Sequence, residues 1–215
     1  MSKERKQHFT EEEIRLGLAL PLMEEFYSIQ GEGFHTGKPA YFCRIGGCDV
    51  GCKWCDVKES WNAGKWPLTP TDNIIRNILA NPSKSVVITG GEPLQYNLDY
   101  LCEKLKKEKI SLFLETSGSY PLSGDWDWIC LSPKKQQPPL KNILLKADEL
   151  KVIVEDESDL EWAEEYASKV RPDCRLYLQP EWSKKNKIIP LLISYVLQHP
   201  EWSISLQTHK YLGIP

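Results

Sequence analysis

The chain has 215 residues and a formal net charge of −3, and 41% of its residues are hydrophobic and 27% charged. These values are typical of one globular domain with its own core, and the near-neutral charge disfavours a nucleic-acid-binding protein. No run approaches the roughly 20 apolar residues of a membrane-crossing helix, and residues 1–7 are polar without a signal-like segment behind them. We therefore expect a cytoplasmic protein that acts on a small molecule and has no membrane partner.

Residues 1–21 are predicted to form an N-terminal extension that precedes the main domain, residues 22–215. Thr10 followed by Glu11, Glu12 and Glu13 is typical of a helix start, so part of the extension is expected to be helical. The charged residues favour a solvated segment, with packing on the main domain or a dimer contact as the alternatives.

Short apolar runs rich in β-forming residues then alternate with segments of helical periodicity, which is the pattern of parallel strands joined by helical crossovers. Six strands are clear and a seventh is weaker; they span residues 40–45, 86–89, 112–115, 128–131, 151–154, 176–179 and 203–207. Four helices are predicted over residues 73–79, 98–107, 160–170 and 188–198. The third is expected to begin with a capping box between Ser158 and Glu161.

The strand between residues 112 and 115 and the strand that begins at residue 151 are separated by Pro-rich and Gly-rich loops without a recognisable helix. A full eight-stranded barrel usually needs about 250 residues. The sequence therefore predicts an α/β fold, an abridged, partial TIM-like barrel of about six parallel strands with fewer helices than strands.

Polar loops follow the carboxyl ends of these strands, where active sites form in parallel α/β folds. They span residues 48–55, 89–93, 115–118, 132–134 and 179–181. In the second loop, Gly90 and Gly91 let the backbone approach a ligand closely, although glycines at a strand end more often make a turn.

Three cysteines, Cys48, Cys52 and Cys55, form a Cys-x3-Cys-x2-Cys motif directly after the first of these strands. The motif is open to three interpretations: a structural zinc site, an iron–sulfur cluster and inert thiols. A structural zinc ion needs four protein ligands, and the nearby candidates are His35 and Cys43. Because Cys43 lies within an apolar strand, it is more simply a buried thiol. Three ligands leave one coordination position open for chemistry.

The cysteine motif, with Trp54 before its last cysteine and Gly-Gly-Glu-Pro at 90–93, resembles the radical S-adenosylmethionine superfamily. That resemblance implies a radical SAM catalytic domain over residues 22–215. It also implies a [4Fe-4S] cluster held by Cys48, Cys52 and Cys55, with S-adenosylmethionine on the fourth iron and a 5′-deoxyadenosyl radical as the product of its cleavage.

Further segments resemble the 7-carboxy-7-deazaguanine synthase family, over nearly all of residues 22–215. The matching segments are residues 25–33, 37–44, 55–56, 58–61 and 206–215. The resemblance implies a lyase of queuosine and deazapurine biosynthesis that contracts the ring of 6-carboxy-5,6,7,8-tetrahydropterin to 7-carboxy-7-deazaguanine and releases ammonia.

The same resemblance implies the residues of two binding sites. S-adenosylmethionine is expected to contact Trp54, Asp56, Gly91, Glu92, Ser132, Pro133, Lys134 and Gln179. The substrate is expected to contact Ile29, Gln30, Gly31, Glu32, Arg44, Thr89, His209 and Pro215, the last through its terminal carboxylate. Arg44 suits the pterin carboxylate, and Glu32 and His209 are also the candidate catalytic residues. Without the flanking match, we would interpret these two as an exposed loop carboxylate and a surface histidine.

One position departs from the family. Its members commonly have Thr after Cys-Asp, with a hydroxyl that helps to bind Mg²⁺, whereas this chain has Val57. Because Mg²⁺ prefers oxygen ligands, a side-chain ligand at position 57 is absent and the magnesium dependence is expected to be weak or altered.

The resemblance also implies a homodimer and a flavodoxin-like reductant. An acidic electron donor could dock on one basic surface, the lysine group Lys104, Lys106, Lys107 and Lys109. The simpler interpretation of this group is a solvated face of a helix. Two other functions remain open, a radical-activating enzyme acting on a protein glycine and a non-catalytic zinc-binding interaction module.

Overall fold

A computed structural model of the protein describes residues 8–215. Nine strands form a single sheet, and seven helices accompany them. The strands are β1 Ala19–Ile29, β2 Pro39–Ile45, β3 Leu68–Pro70, β4 Ser85–Gly90, β5 Ser111–Thr116, β6 Trp128–Leu131, β7 Glu149–Val154, β8 Arg175–Pro180 and β9 Trp202–Ile204. The helices are α1 Glu11–Arg15, α2 Thr71–Leu79, α3 Asp99–Lys107, α4 Lys141–Leu144, α5 Ser158–Ala167, α6 Lys185–Val196 and α7 Thr208–Leu212.

The order of strands in the sheet is β3-β1-β2-β4-β5-β6-β7-β8-β9. The run from β2 through β4 to β9 is parallel, whereas β1 pairs antiparallel with both β2 and β3. Because β3 and β9 lie at opposite edges, the sheet is not closed. The predicted partial barrel is confirmed, with two more strands, β1 and β3, than the sequence indicated.

β1 starts earlier than the predicted boundary between extension and main domain. Ala19 and Leu20 are fully buried, and Ala19 to Pro21 pair with β3. Before β1, the helix α1 has no buried residue, and Thr10 and Glu13 form a reciprocal capping box at its start. The division into residues 1–21 and 22–215 stays a prediction, and residues 1–7 lie outside the described residues.

Two helix predictions need correction. Ser158 does not cap α5, because its hydroxyl donates to Asp156 Oδ1 at 2.6 Å and the helix already includes Ser158. The loop-rich stretch before β7 contains α4, a single turn that follows Pro138 and Pro139. The short α7 was also not predicted.

The two faces of the parallel sheet differ in chemistry. Along β7, Leu150, Val152 and Val154 are fully buried in the apolar core that also contains Ile74 and Leu101 of the outer helices. The alternate residues, such as Lys151 and Ile153, line a cavity on the concave side. Because side chains alternate along a strand, one face builds the core and the other builds the site. Among residues 8–215, no helix is long and apolar enough to span a membrane.

Candidate active site

A cavity of about 490 Å³ lies on the concave face, over the carboxyl ends of the parallel strands. Its volume is in the range of about 300–1,000 Å³ that is usual for small-molecule sites. It brings together nearly all the residues that the sequence analysis placed in a site. Those lining it are Ile29, Gln30, Gly31, Glu32, Arg44, Cys48, Cys52, Trp54, Cys55, Asp56, Val57, Thr89, Gly91, Glu92, Ser132, Lys134, Gln179, His209 and Pro215. Pro133 is buried and does not line the cavity.

The cysteine loop follows β2 and is held by backbone hydrogen bonds to later parts of the chain. Cys48 N donates to Trp61 O at 3.1 Å, and Cys55 N donates to Cys52 O at 3.1 Å. Asp49, next to the first cysteine, accepts a hydrogen bond from Gln95 Nε2 at 2.9 Å and another from the hydroxyl of Tyr120. The loop is therefore fixed from both sides before any metal is considered.

The three thiols are free and face the cavity. Burial raises the pKa of Cys48 to about 11 and also raises the pKa of Cys52. The three sulfur atoms do not form a group within 4.8 Å of one another. One tetrahedral zinc ion would hold its sulfur ligands about 3.8 Å apart, since Zn–S is about 2.3 Å. At least one pair of sulfur atoms is thus farther apart than two ligands of one zinc ion would be, which favours the wider spacing of a cluster.

The loop after β4 lies directly against the cysteine loop. Gly91 N donates to Ile45 O at 2.9 Å, and Glu92 N donates to Gly47 O at 2.8 Å. A Cβ at Gly91 would lie 2.2 Å from Gly47 O and 2.7 Å from Cys48 Cβ, so a side chain would push the two loops apart. The glycines thus serve a close approach within the protein.

The carboxylate of Glu92 is 1% exposed and receives four protein donors. They are Leu94 N at 3.1 Å, Thr116 Oγ1 at 2.6 Å, Ser117 N at 2.8 Å and Ser117 Oγ at 2.5 Å. Because two donors occupy each oxygen, Glu92 joins the loops after β4 and β5 and has little accepting capacity left for a ligand.

Lys134 lies beside the cysteine loop. Its ammonium donates to Ser132 O at 2.7 Å and to Ser132 Oγ at 2.6 Å, and it lies 5.3 Å from the ring centre of Trp54. Burial lowers its pKa, while the Cys52 thiol raises it. Lys134 therefore places a positive charge beside the Cys52 thiol.

Gln179 and Asp56 complete this half of the cavity. Gln179 is buried, and its Oε1 accepts from Ser205 Oγ at 2.7 Å, which leaves its amide nitrogen for a ligand. Asp56 Oδ2 accepts from Lys210 Nζ at 2.6 Å and from Gln207 Nε2 at 3.1 Å. Burial opposes ionisation of Asp56, but these donors and the charge of Lys210 lower its pKa overall.

At the other end, Arg44 projects from β2. Its Nε donates to Glu24 Oε1 at 2.6 Å, and among the described residues its terminal nitrogens have no protein partner. Thr89 is its register partner on β4. The guanidinium therefore presents free donors for a carboxylate.

A buried charge network lies beneath these residues. Lys151 Nζ lies 2.7 Å from Glu32 Oε2 and 2.9 Å from Glu115 Oε2. Gln30 links the Glu32 backbone to the Glu115 carboxylate, since its Oε1 accepts from Glu32 N at 3.2 Å and its Nε2 donates to Glu115 Oε1 at 3.4 Å. Burial opposes ionisation of Glu32, but Lys151 and Gln207 lower its pKa to about 2.

The last residues of the chain close over this end. Thr208 N donates to Gly31 O at 2.9 Å, which fixes α7 beside the end of β1. Burial lowers the pKa of His209, while Glu32 raises it. Ser28 Oγ donates to Pro215 O at 3.1 Å. Residues 28–31 and 208–215, which are far apart in the sequence, therefore meet in one pocket.

Comparisons with known proteins agree with this geometry. The model of the radical SAM superfamily matches residues 43–130. The 7-carboxy-7-deazaguanine synthase of Flavobacterium psychrophilum is 54% identical over 202 residues, which are 94% of this chain and 96% of that protein. The enzyme of the same name from Synechocystis sp. is 48% identical over 93% of this chain and 95% of its own length. The crystal structure of QueE from Escherichia coli matches with a TM-score of 0.80 at 30% identity, covering 93% of this chain and 99% of that one.

The chain belongs to the 7-carboxy-7-deazaguanine synthase family. It is thus a radical SAM enzyme of the lyase class, and the alternatives of a glycine-radical-activating enzyme and of a zinc-binding module are set aside.

The cavity residues fit a [4Fe-4S] cluster and S-adenosylmethionine. Three free thiols on one loop form the donor set of a cluster in which one iron has no protein ligand. Next to them lie Lys134 and Gln179, which offer charge and an amide nitrogen to the polar groups of S-adenosylmethionine. The roles of these residues stay predictions, and Pro133, whose side chain lies outside the cavity, is the one least supported by position.

Several residues that form this synthase site were missed by the sequence analysis. They are Lys151, Gln207 and Lys210; Glu115, Thr116 and Ser117 were placed in a loop at the strand ends, but without a binding role. One signal was available: in Glu149-Leu150-Lys151-Val152, charged and apolar residues alternate within a strand. A strand with one polar face between buried neighbours indicates an internal site.

Proposed function

We propose that this protein converts 6-carboxy-5,6,7,8-tetrahydropterin to 7-carboxy-7-deazaguanine with release of ammonia. The observation that carries the proposal is a single cavity with three free cysteine thiols at one end and a set of charged and hydrogen-bonding residues at the other. The relatives from Flavobacterium psychrophilum and Synechocystis sp., which align with more than nine-tenths of this chain, bear the name of that synthase.

Cys48, Cys52 and Cys55 would hold the cluster, and Trp54, Ser132, Lys134 and Gln179 would surround S-adenosylmethionine. When bound, the cluster and S-adenosylmethionine would supply the radical chemistry that removes a hydrogen atom from C6 of the substrate. The protein's own contribution is to hold C6 near the cofactor and to exclude water from the reaction.

The substrate end supports a planar molecule with a carboxylate. The free guanidinium nitrogens of Arg44 suit the pterin carboxylate, and the oxygens of Glu32 suit the N–H groups of the aminopyrimidinone ring. The side-chain amide of Gln30 is engaged by the backbone N–H of Glu32 and by the carboxylate of Glu115, so Gln30 would support the substrate indirectly by fixing these two residues. His209 and Pro215 would cover the ring.

Anaerobic turnover tests this function. Reconstituted protein is incubated with a reductant, S-adenosylmethionine and 6-carboxytetrahydropterin, and 7-carboxy-7-deazaguanine is measured by chromatography. Formation of that product in many turnovers is expected. Cleavage of S-adenosylmethionine without 7-carboxy-7-deazaguanine would retain the superfamily and refute the substrate.

The side chain at position 57 cannot be a direct magnesium ligand. Val57 lines the cavity with an apolar side chain, and its carbonyl accepts from Ser60 N at 3.0 Å and from Ser60 Oγ at 2.7 Å. Close by, the ammonium of Lys210 already balances Asp56. Weak magnesium dependence is the consequence, because Mg²⁺ prefers several oxygen ligands in octahedral geometry.

Chelation tests this point. Activity in EDTA is compared with activity in Mg²⁺ for the natural protein and for Val57→Thr, and Mn²⁺ binding is measured in both by electron paramagnetic resonance. EDTA should reduce activity more, and Mn²⁺ should bind more tightly, in Val57→Thr. An equally strong loss of activity in both proteins would contradict the expectation.

A one-electron donor of the flavodoxin type is the proposed reductant, and a homodimer the proposed assembly. The lysine group on α3 gives the donor little support. Lys106 lies 2.5 Å from Asp127 and Lys107 lies 2.5 Å from Glu103, so their charges are balanced. α3 also ends beside the start of β5, at the amino ends of the parallel strands, whereas the cysteine loop lies at their carboxyl ends. A donor is better placed near the cysteine loop, where Lys53 and Lys58 lie.

A further inference from the structure

Lys151 is a buried cation with no place in the function described so far. It is 3% exposed and projects from the middle of β7 into the cavity. An unpaired charge at such a site would be strongly unfavourable, so its partners must repay the loss of solvation. Those partners, Glu32 and Glu115, are themselves cavity residues at the substrate end.

The two carboxylates are presented from different parts of the fold. Glu32 follows β1 and Glu115 lies near the end of β5, and each gives one oxygen to Lys151. The second oxygen of Glu32 accepts from Gln207 Nε2 at 2.9 Å, and that of Glu115 accepts from Gln30 Nε2 at 3.4 Å. Since a carboxylate oxygen has two lone pairs, each oxygen retains one for a ligand.

Other titratable groups also face the ammonium. They are Cys130 on β6, Glu149 on β7, Lys134 after β6, His209 on α7 and Tyr177, the register partner of Lys151 on β8. Burial alone would lower the pKa of Lys151, but Cys130, Glu115, Glu32 and Glu149 outweigh it and raise the pKa above its ordinary value. The lysine therefore stays charged across the range of pH in which enzymes are assayed.

We propose that Lys151 is a positioning residue for the substrate. Its ammonium holds Glu32 and Glu115 ionised and at a fixed separation, so that their free lone pairs accept from the adjacent N–H and amino groups of the pyrimidine ring. The proposal rests on the function proposed above. It adds that recognition of the ring depends on a charge balance in which the lysine itself need not touch the substrate.

Replacing the lysine would leave two neighbouring, partly buried carboxylates without a counter-charge. One of them would then bind a proton, because like charges in proximity raise the pKa of one group. A protonated carboxyl loses part of its accepting capacity, and the proton is bound below the raised pKa. Substrate binding should consequently weaken as the pH falls, which the natural protein avoids because Glu32 is ionised down to a pKa of about 2.

The test compares Lys151→Met with Lys151→Arg, which keeps the charge, and with the double variant Lys151→Met, Glu115→Gln, which removes one negative charge as well. Lys169→Met is the matched control, since Lys169 lies 2.5 Å from Glu165 on the outer helix α5. The measurements are iron content, melting temperature, kcat and KM for 6-carboxytetrahydropterin between pH 6 and 8.5, and equilibrium binding of 7-carboxy-7-deazaguanine.

Lys151→Met should raise KM about tenfold or more at pH 7, a change that corresponds to about 1.4 kcal/mol. Its kcat/KM should fall with decreasing pH over a range in which the natural protein is insensitive, and product binding should weaken in parallel. Lys151→Arg should recover most of the affinity, and iron content should be unchanged. Lys169→Met should match the natural protein throughout.

Two results would overturn the proposal. One is an unchanged KM and an unchanged pH profile in folded, iron-loaded Lys151→Met. The other is loss of folded protein in all three Lys151 variants, including Lys151→Arg, which would assign the lysine to folding alone. If the natural protein forms no 7-carboxy-7-deazaguanine, the proposed function fails; if it does and Lys151→Met behaves identically, only this inference fails.

Discussion

The cysteine loop takes its three thiols from residues 48–55. The substrate end of the cavity instead joins four distant segments of the chain, through Glu32, Glu115, Lys151 and Gln207. The pair Lys151 and Glu32 is separated by 119 residues, and Gln207 and Glu32 are separated by 175. One end is thus encoded locally and the other only by the fold.

The two ends also differ in electrostatics. Burial raises the pKa of Cys48 and Cys52, so these thiols retain their protons until a metal displaces them. At the substrate end the protein supplies both signs of charge, and Glu32 is ionised without help from a ligand. The cluster end is therefore completed by its metal, while the substrate end is organised by the chain itself.

The strongest test of this separation is Cys52→Ala. Loss of one of three ligands should abolish the cluster. Anaerobically purified Cys52→Ala should therefore be colourless and lack the roughly four iron atoms per chain of the natural protein, and its turnover should be at background. The substrate end should survive, with binding of 7-carboxy-7-deazaguanine unchanged. Iron content, visible absorbance and product binding are the measurements.

Cys174→Ala provides the control, because Cys174 is buried and lies outside the cavity. It should keep its iron and its activity. A brown Cys52→Ala protein with normal iron would contradict the assignment of the loop, and loss of product binding in Cys52→Ala would contradict the independence of the two ends.

The same contrast explains what the sequence could predict. The cysteine motif and the strands β2 and β4–β8 were found because each depends on neighbouring residues, a fixed spacing or a short apolar run. β1 was missed, since its burial does not alternate and it contains Pro21 and the pair Glu24 and Glu25. Its pairing with β2 is antiparallel, outside the repeating strand–helix pattern.

The candidate site shows the same limit. Glu32 and His209 entered the prediction through a family resemblance, since a loop carboxylate and a single histidine carry no local signal. Lys151 was read as part of an apolar strand, although it faces the cavity. A charge inside a strand has meaning only when the partners across the sheet are known, and those partners come from tertiary structure.

A smaller effect is expected from disturbing the substrate end alone, by Gly31→Ala. The new Cβ would lie 2.2 Å from His209 Nδ1 and 2.8 Å from His209 Cβ, so α7 must shift. KM for the pterin should increase about tenfold, equivalent to about 1.4 kcal/mol, while iron content stays unchanged. Steady-state kinetics and iron analysis measure the two quantities.

Gly64→Ala is the control for this change. A Cβ there would approach only Asn62 Oδ1, at 3.2 Å, and Gly64 does not line the cavity. Its KM should equal that of the natural protein. A Gly31→Ala protein with reduced iron would show that the two ends are coupled, against the comparison drawn above.

The smallest effect is expected from Tyr120→Phe, which loosens the cysteine loop without touching a thiol. The hydroxyl of Tyr120 donates to Asp49, but Gln95 also donates to Asp49 at 2.9 Å, and Cys48 N remains bonded to Trp61 O. One hydrogen bond typically contributes about 1 kcal/mol, so loss of iron to a chelator should accelerate by roughly fivefold, with KM unchanged. Tyr100→Phe is matched to it, since that hydroxyl donates to Asp72 at 2.8 Å on the protein surface, and its iron loss should not change. Equal rates in all three proteins would show that the hydrogen bond from Tyr120 to Asp49 contributes nothing to retention of the cluster, because Gln95 and the backbone bonds would then fix the loop without it.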